Sequence, residues 1–277
     1  MADRAAAGRL PALADVNHEP GERALRRTVR VLNAVMIPFT RRDWRDQQKV
    51  PRDGGLIFAV NHISNADPLA VGQFLAYSGR WPRFLAKISL FGLPIVGRVL
   101  RACGQIPVQR ASKAAGDALK AAVQAVQDGK AVVIYPEGTI TRDPALWPMT
   151  GKTGAARISF STGCPVVPVG QWGAQEILYG HHVGFPKLLP RTTLRLKAGD
   201  PVHLDDLRER PLDAAVLKEA TDRIMDAITA LVADLRGAEP PPVRFDPRET
   251  AASSGAAPEG GQGDPVRDAR QEPEWPL

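Results

Sequence analysis

His62 and Asp67 stand five residues apart in Asn61-His62-Ile63-Ser64-Asn65-Ala66-Asp67, an imidazole and a carboxylate separated by a short polar turn. If that turn folds back, Asp67 accepts a hydrogen bond from one ring nitrogen and holds the tautomer. The other nitrogen is then left to take a proton from a substrate hydroxyl, a dyad without a protein nucleophile. Taken alone the spacing arises often by chance, and a plainer arrangement is open: His62 satisfies a loop backbone and Asp67 caps a helix beginning at Pro68, a good first helical residue. The second segment with chemical potential is Tyr135-Pro136-Glu137-Gly138-Thr139, continuing into Ile140-Thr141-Arg142. Gly138 lets the backbone approach a ligand, Thr139 and Thr141 offer hydroxyls, Glu137 can accept from a substrate hydroxyl, and Arg142 can hold a phosphate bidentately. Its plainer arrangement is a turn with a solvent-exposed glutamate.

Both segments follow apolar runs that read as buried strands, residues 56–60 and 131–135. Further strands are predicted at 83–86, at 105–108 with Pro107 marking an edge or an end, at 166–169 and at 192–197. Helices are predicted over 113–127, with Ser112 as cap and Gly129 just past the end, over about 153–161, and over 212–235. Strands alternating with helices imply an α/β fold: a mostly parallel mixed sheet flanked by helices, with chemistry at the carboxyl ends of strands. His62 and Glu137 both stand at such ends.

Four blocks in order carry a resemblance: Asn61-His62-x4-Asp67, Gly104-Gln105-Ile106-Pro107-Val108-Gln109-Arg110, Pro136-Glu137-Gly138-Thr139 and Val166-Val167-Pro168-Val169. Together, over roughly residues 50–205, they resemble the glycerolipid acyltransferases, and most of all the bacterial 1-acylglycerol-3-phosphate acyltransferase type. The resemblance implies that His62 is the general base and Asp67 its orienting partner. It implies that Glu137, Gly138 and Thr139 help bind a glycerol phosphate, that Arg110 is a phosphate ligand, and that Lys87 and Arg142 add positive charge. Lys152 matches a lysine that follows the third block in that family. In the family an arginine commonly follows the third block's threonine directly, whereas here Ile140 stands there and the arginine comes two positions later, at Arg142. Acyl transfer from acyl-CoA or acyl-ACP to the sn-2 hydroxyl of 1-acyl-sn-glycerol 3-phosphate, giving phosphatidate in phospholipid biosynthesis, is the implied reaction. It needs no cofactor and no metal beyond the thioester co-substrate. The displaced arginine keeps glycerol 3-phosphate and other lysophospholipids open as acceptors.

Composition bounds the rest. A chain of 277 residues with 44% hydrophobic content can bury a full core. The net charge is +6, yet residues 237–277 hold four arginines against eight acids, a net of −4 that leaves +10 on residues 1–236. Such a body favours anionic partners, and membrane lipid is expected over nucleic acid, because aromatics are only 6% and no recognition motif is present. A non-enzymatic basic membrane-binding module is the reading from another class. Residues 20–50 are expected to form an amphipathic membrane-associating helical segment: Leu25, Val29, Leu32, Met36 and Phe39 share a stripe, and Arg23, Arg26, Arg27 and Arg30 lie elsewhere. Packing of that stripe on the domain is the alternative. Residues 1–19 are expected to be flexible, 51–236 to form the catalytic domain, and the Pro- and Gly-rich 237–277 to be disordered.

With no apolar leader and no run of about 18 apolar residues, the chain is expected at the cytoplasmic face of the cell membrane, peripheral or monotopic. Cys103 and Cys164 match neither a disulfide framework nor a zinc spacing. Gly151-Lys152-Thr153 lacks the upstream glycine of a phosphate-binding loop, and His181-His182 has no metal-ligating company.

Overall fold

Leu56–Val60 and Ala131–Ile134 contain no polar side chain, and both lie at the middle of a seven-stranded sheet with both faces covered. The computed structural model describes residues 10–108, 115–178 and 185–249. Its strands are β1 (Thr40–Arg45), β2 (Leu56–Val60), β3 (Pro82–Lys87), β4 (Ile106–Val108), β5 (Ala131–Ile134), β6 (Val166–Trp172) and β7 (Thr192–Ala198). They are ordered β1-β7-β6-β2-β5-β3-β4. All neighbours run parallel except β6 and β7, so the sheet is mixed as well as mostly parallel, as the sequence predicts.

The helices are α1 (Leu13–Val16), α2 (Arg23–Met36), α3 (Asp67–Tyr77), α4 (Ile88–Phe91), α5 (Val96–Ala102), α6 (Ala115–Gln127), α7 (Gly154–Thr162), α8 (Ala174–Ile177), α9 (Asp205–Arg208) and α10 (Ala214–Arg236). Period-two alternation divides each central strand between two cores. Leu56, Phe58 and Val60 pack with Val71, Phe74 and Leu75 of α3, whereas Ile57 and Ala59 join Ala122 of α6, Ala156 of α7 and Ile224 of α10. Each such fully buried large side chain contributes about 1.5–3 kcal/mol. The α10 helix begins where Asp213 accepts from the Val216 amide at 2.8 Å and ends at Gly237, whose φ of +62° is the left-handed conformation glycine adopts at no steric cost.

Three boundaries differ from the sequence reading. Residues 40–45, expected within a helical segment, form the edge strand β1, because pairing with β7 satisfies a backbone whose side chains, Thr-Arg-Arg-Asp-Trp-Arg, show no apolar alternation. The α2 stripe faces protein: Leu25 and Val29 pack against Ala76, Trp81 and Cys103, and Met36 enters the α3 core. The termini are held further out than expected. Trp81 donates through its indole to the Glu19 carbonyl at 2.8 Å and Asn17 donates to Ala76 at 2.9 Å, so residues 10–19 dock on the domain. Beyond α10, the Thr150 amide donates to the Phe245 carbonyl at 3.1 Å, and Arg244 reaches Asp226. Residues 1–9 and 250–277, the rest of the two segments expected to be loose, lie outside the described residues, as does Ser112.

One buried cation ties the sheet's other end together. Arg80 is fully buried and donates to the carbonyls of Pro51 (2.8 Å), Asp53 (3.3 Å), Gly54 (2.7 Å) and Gly129 (3.0 Å), with Glu19 3.3 Å away. Those loops precede β2 and β5, the two strands that deliver the site.

Candidate active site

β2 and β5 are parallel neighbours, with Ala59 beside Ile134, so the residues that follow them emerge together at the carboxyl end of the sheet. Asn61-His62 leaves β2, and Tyr135-Pro136-Glu137 leaves β5. The turn after His62 does fold back. His62 Nδ1 lies 2.7 Å from Asp67 Oδ2, and the same oxygen accepts the Ile63 amide at 2.7 Å and the Ser64 amide at 2.9 Å. Asp67 thus reaches back over the turn and does not cap α3. Its carboxylate accepts, so Nδ1 is the protonated ring nitrogen and Nε2 keeps a free lone pair. Burial pushes the Asp67 carboxyl up from its ordinary value, opposed by the hydrogen bond and charge of His62 and by the amides of Ser64 and Ile63. The His62 side chain retains 12% exposure while Asp67 has none, which leaves the imidazole as the face a substrate can reach.

Glu137 does something other than meet a substrate. It is 3% exposed, and its two oxygens accept the backbone N–H of His62 at 2.8 Å and of Met149 at 3.0 Å. The Thr141 amide in turn donates to the His62 carbonyl at 2.7 Å. The main chain of the general-base candidate is therefore clamped on both sides by the segment after β5. Burial pushes the Glu137 carboxyl up to about 8, against the lowering effect of the two amides. Neither the exposed-turn reading nor direct contact with a substrate hydroxyl fits this geometry: the glutamate is a brace between the two segments.

Other residues singled out from the sequence divide by position. Gly138, at φ +72°, makes the turn, and a Cβ there would meet Lys152 Cε at 2.9 Å, so the glycine also makes room for the lysine stem. Thr139 is partly buried on the same turn. Lys87 ends β3 with its side chain exposed, in register with Val108 of β4. Arg110 lies outside the described residues, as do His181 and His182. Ile140 is 4% exposed and belongs to the protein interior, whereas Arg142 is exposed. The position where the family carries arginine is thus an apolar plug here. Among the described residues no three His, Cys, Asp or Glu side chains gather as metal ligands.

Two contributions were not legible from the motifs. Tyr135 stacks on the His62 ring, centroids 4.2 Å apart and planes 18° from parallel, with Phe84 behind it at 6.3 Å. Its hydroxyl is buried without a hydrogen-bond partner among the described residues, as is Asp67 Oδ1. Asn61 exchanges hydrogen bonds with the Gln171 backbone: its side-chain nitrogen donates to the carbonyl at 3.1 Å, and its oxygen accepts the amide at 2.9 Å. The Gln171 side chain donates back to the Asn61 carbonyl at 2.8 Å. That lock joins the ends of β2 and β6. A glutamine in the otherwise apolar first six residues of β6 was the available signal.

The part of the chain that carries this site is similar to known proteins. The family model described as Acyltransferase matches residues 41–172, from β1 to the end of β6. The chloroplastic 1-acyl-sn-glycerol-3-phosphate acyltransferase BAT2 of Brassica napus is 31% identical over 145 residues, covering 52% of this chain and 40% of that protein. The 1-acyl-sn-glycerol-3-phosphate acyltransferase of Borreliella burgdorferi is 32% identical over 126 residues, covering 44% and 47%. The chain thus matches less than half the length of these two relatives. The crystal structure of the 1-acyl-sn-glycerophosphate acyltransferase PlsC from Thermotoga maritima superimposes with a TM-score of 0.60 at 21% identity, covering 78% of this chain and 81% of that one, and so shares its fold. The match to the Acyltransferase family model takes in the His62–Asp67 dyad and its Glu137 brace.

Proposed function

We propose that this protein transfers a fatty acyl group from an acyl-CoA or acyl-ACP thioester to the sn-2 hydroxyl of 1-acyl-sn-glycerol 3-phosphate, giving phosphatidate. The observation that carries the reading is the 2.7 Å contact between His62 Nδ1 and the buried Asp67 Oδ2, which leaves the opposite ring nitrogen as base. His62 Nε2 takes the hydroxyl proton as the oxygen attacks the thioester carbonyl. The tetrahedral intermediate collapses with loss of thiolate, and the imidazolium returns its proton to the sulfur. Because the thioester is already activated, the protein chiefly positions the hydroxyl, moves one proton and stabilises developing charge. The acceptor's phosphate would be held by Lys87 and Arg142 at the carboxyl end of the sheet, with Arg110 as a further ligand. Binding energy from that non-reacting group orients the hydroxyl. The relatives' names support the acceptor.

The buried Ile140 favours a second acceptor reading, glycerol 3-phosphate or another lysophospholipid, because the family's usual phosphate arginine has no counterpart at that position. We propose with it that the protein works at a membrane surface, on the cytoplasmic face. No helix among the described residues is long and apolar enough to cross a membrane. The test is thiol release from acyl-CoA or acyl-ACP against a panel of acceptors. Lysophosphatidate should give the highest kcat/KM, and His62→Ala should lower kcat by about 10²-fold or more. An unchanged rate in the variant would remove the dyad from the mechanism, and turnover confined to another acceptor would replace lysophosphatidate.

A further inference from the structure

The hairpin formed by α4 and α5 turns an apolar surface outward. Ile88, Leu90, Leu93, Ile95, Val96 and Val99 are 46, 40, 47, 77, 43 and 41% exposed. A single exposed leucine needs no explanation, but six large apolar side chains within twelve residues form a patch of the kind that marks an interaction site. The hairpin is firmly built. Phe91 is buried beneath it, and α5 lies directly on α4, because a Cβ at Gly97 would come within 2.1 Å of the Phe91 carbonyl oxygen. Arg101 also donates to that carbonyl at 2.7 Å. The apolar side chains are therefore held outward by the fold.

Its surroundings select the partner. The hairpin follows β3, whose Phe84 stacks on Tyr135 and, through it, on His62, so it stands at the same end of the sheet as the dyad. Lys87, Arg98 and Arg101 are exposed along it, and the sequence has no acidic residue between Asp67 and Asp117. On the other side α5 adjoins α2, where Thr28 Oγ1 lies 3.4 Å from the Cys103 sulfur. The outer side of α2 exposes Arg23, Arg26, Arg27 and Arg30. An apolar centre bordered mainly by cations is complementary to an anionic lipid leaflet, whereas a second copy of this surface would be repelled by like charge.

We propose that the α4–α5 hairpin is the element that enters an anionic phospholipid leaflet. Leu93, Ile95, Val96 and Val99 lie among acyl chains, and Lys87, Arg98 and the α2 arginines lie at the phosphates. The inference rests on the acyltransferase reading for its purpose, since docking there brings the His62 end of the sheet to the lipid acceptor. It assigns insertion to a surface distinct from the α2 stripe, which is buried against the domain.

The experiment is flotation of the full chain with vesicles of phosphatidylcholine alone and of phosphatidylcholine with roughly a quarter phosphatidylglycerol, the latter expected to bind the protein more tightly. The double substitution Ile95→Ser with Val99→Ser removes two exposed side chains and should leave the melting temperature unchanged. It should weaken partitioning into the anionic vesicles about ten- to a hundredfold. Arg26→Gln with Arg30→Gln should abolish the preference for anionic vesicles. Turnover of acceptor embedded in vesicles should fall in the Ile95/Val99 variant, while turnover of acceptor dispersed as monomers stays at the wild-type rate. Wild-type protein that floats with neither vesicle, or an Ile95/Val99 variant that binds within twofold of wild type, overturns the docking proposal. Docking without thiol release from any acyl thioester would overturn the acyltransferase reading and leave the docking surface standing.

Discussion

Replacing Glu137 by glutamine exchanges one carboxylate oxygen for an NH2 group in a site where both oxygens are already committed. They accept backbone N–H groups, from His62 at 2.8 Å and Met149 at 3.0 Å, and the residue is 3% exposed. Glutamine supplies one acceptor and one NH2, so one of the two amides must face a donor. A buried donor left unpaired costs about 1–3 kcal/mol. The second consequence is in pH dependence. The carboxyl sits at about 8 when folded against 4.5 ordinarily, raised chiefly by burial, so between those values the folded protein holds a proton that the unfolded chain has lost. Stability from this group is complete below about 4.5 and is lost as pH rises through 8. The slope approaches about 1.4 kcal/mol per pH unit inside that window, amounting to a few kcal/mol in all. Asp67, also raised by burial, adds to the loss in the same direction. Urea denaturation at intervals from pH 5 to 9 should show wild-type stability falling across the range and Glu137→Gln starting lower at pH 5 with a flatter profile. Parallel curves would refute the assignment of the titration to Glu137. The substitution should also lower kcat more than it raises KM, since the carboxylate holds the His62 main chain; a pure KM effect would return Glu137 to the role of substrate ligand.

The remaining predictions concern stability and the stack on the base. Arg80→Met leaves four loop carbonyls and the Glu19 carboxylate without their buried cation, and should cost about 3–5 kcal/mol in chemical denaturation; a loss under about 1 kcal/mol would show that the loops ahead of β2 and β5 hold themselves. Tyr135→Phe keeps the ring on His62 and removes a hydroxyl buried without a partner, so it should stabilise by about 1 kcal/mol or more at an unchanged kcat. A fall of about tenfold in kcat would mean that the hydroxyl takes part in the reaction.

Local signals in the sequence already determined most of the scaffold. The unbroken apolar runs at 56–60 and 131–135 read as buried strands in a covered sheet, and Gly129 marks a helix end because glycine alone enters the left-handed turn without cost. The spacing of His62 and Asp67, after a strand and before Pro68, determined where a base could arise. Tertiary structure decided the rest, wherever a residue's partner is distant in the chain. Thr40–Arg45 became a strand because β7, some 150 residues on, offered its edge; the α2 stripe met Trp81 and Cys103 in place of lipid. Glu137 could be read as a ligand or a surface charge until the parallel pairing of β2 with β5 set it beneath the His62 amide. The same pairing put Tyr135 against the imidazole, and the adjoining β6 brought Gln171 to Asn61. Periodicity is local and reports which face of an element is buried. The geometry of a catalytic group is made by contacts between strands that only the folded sheet brings side by side.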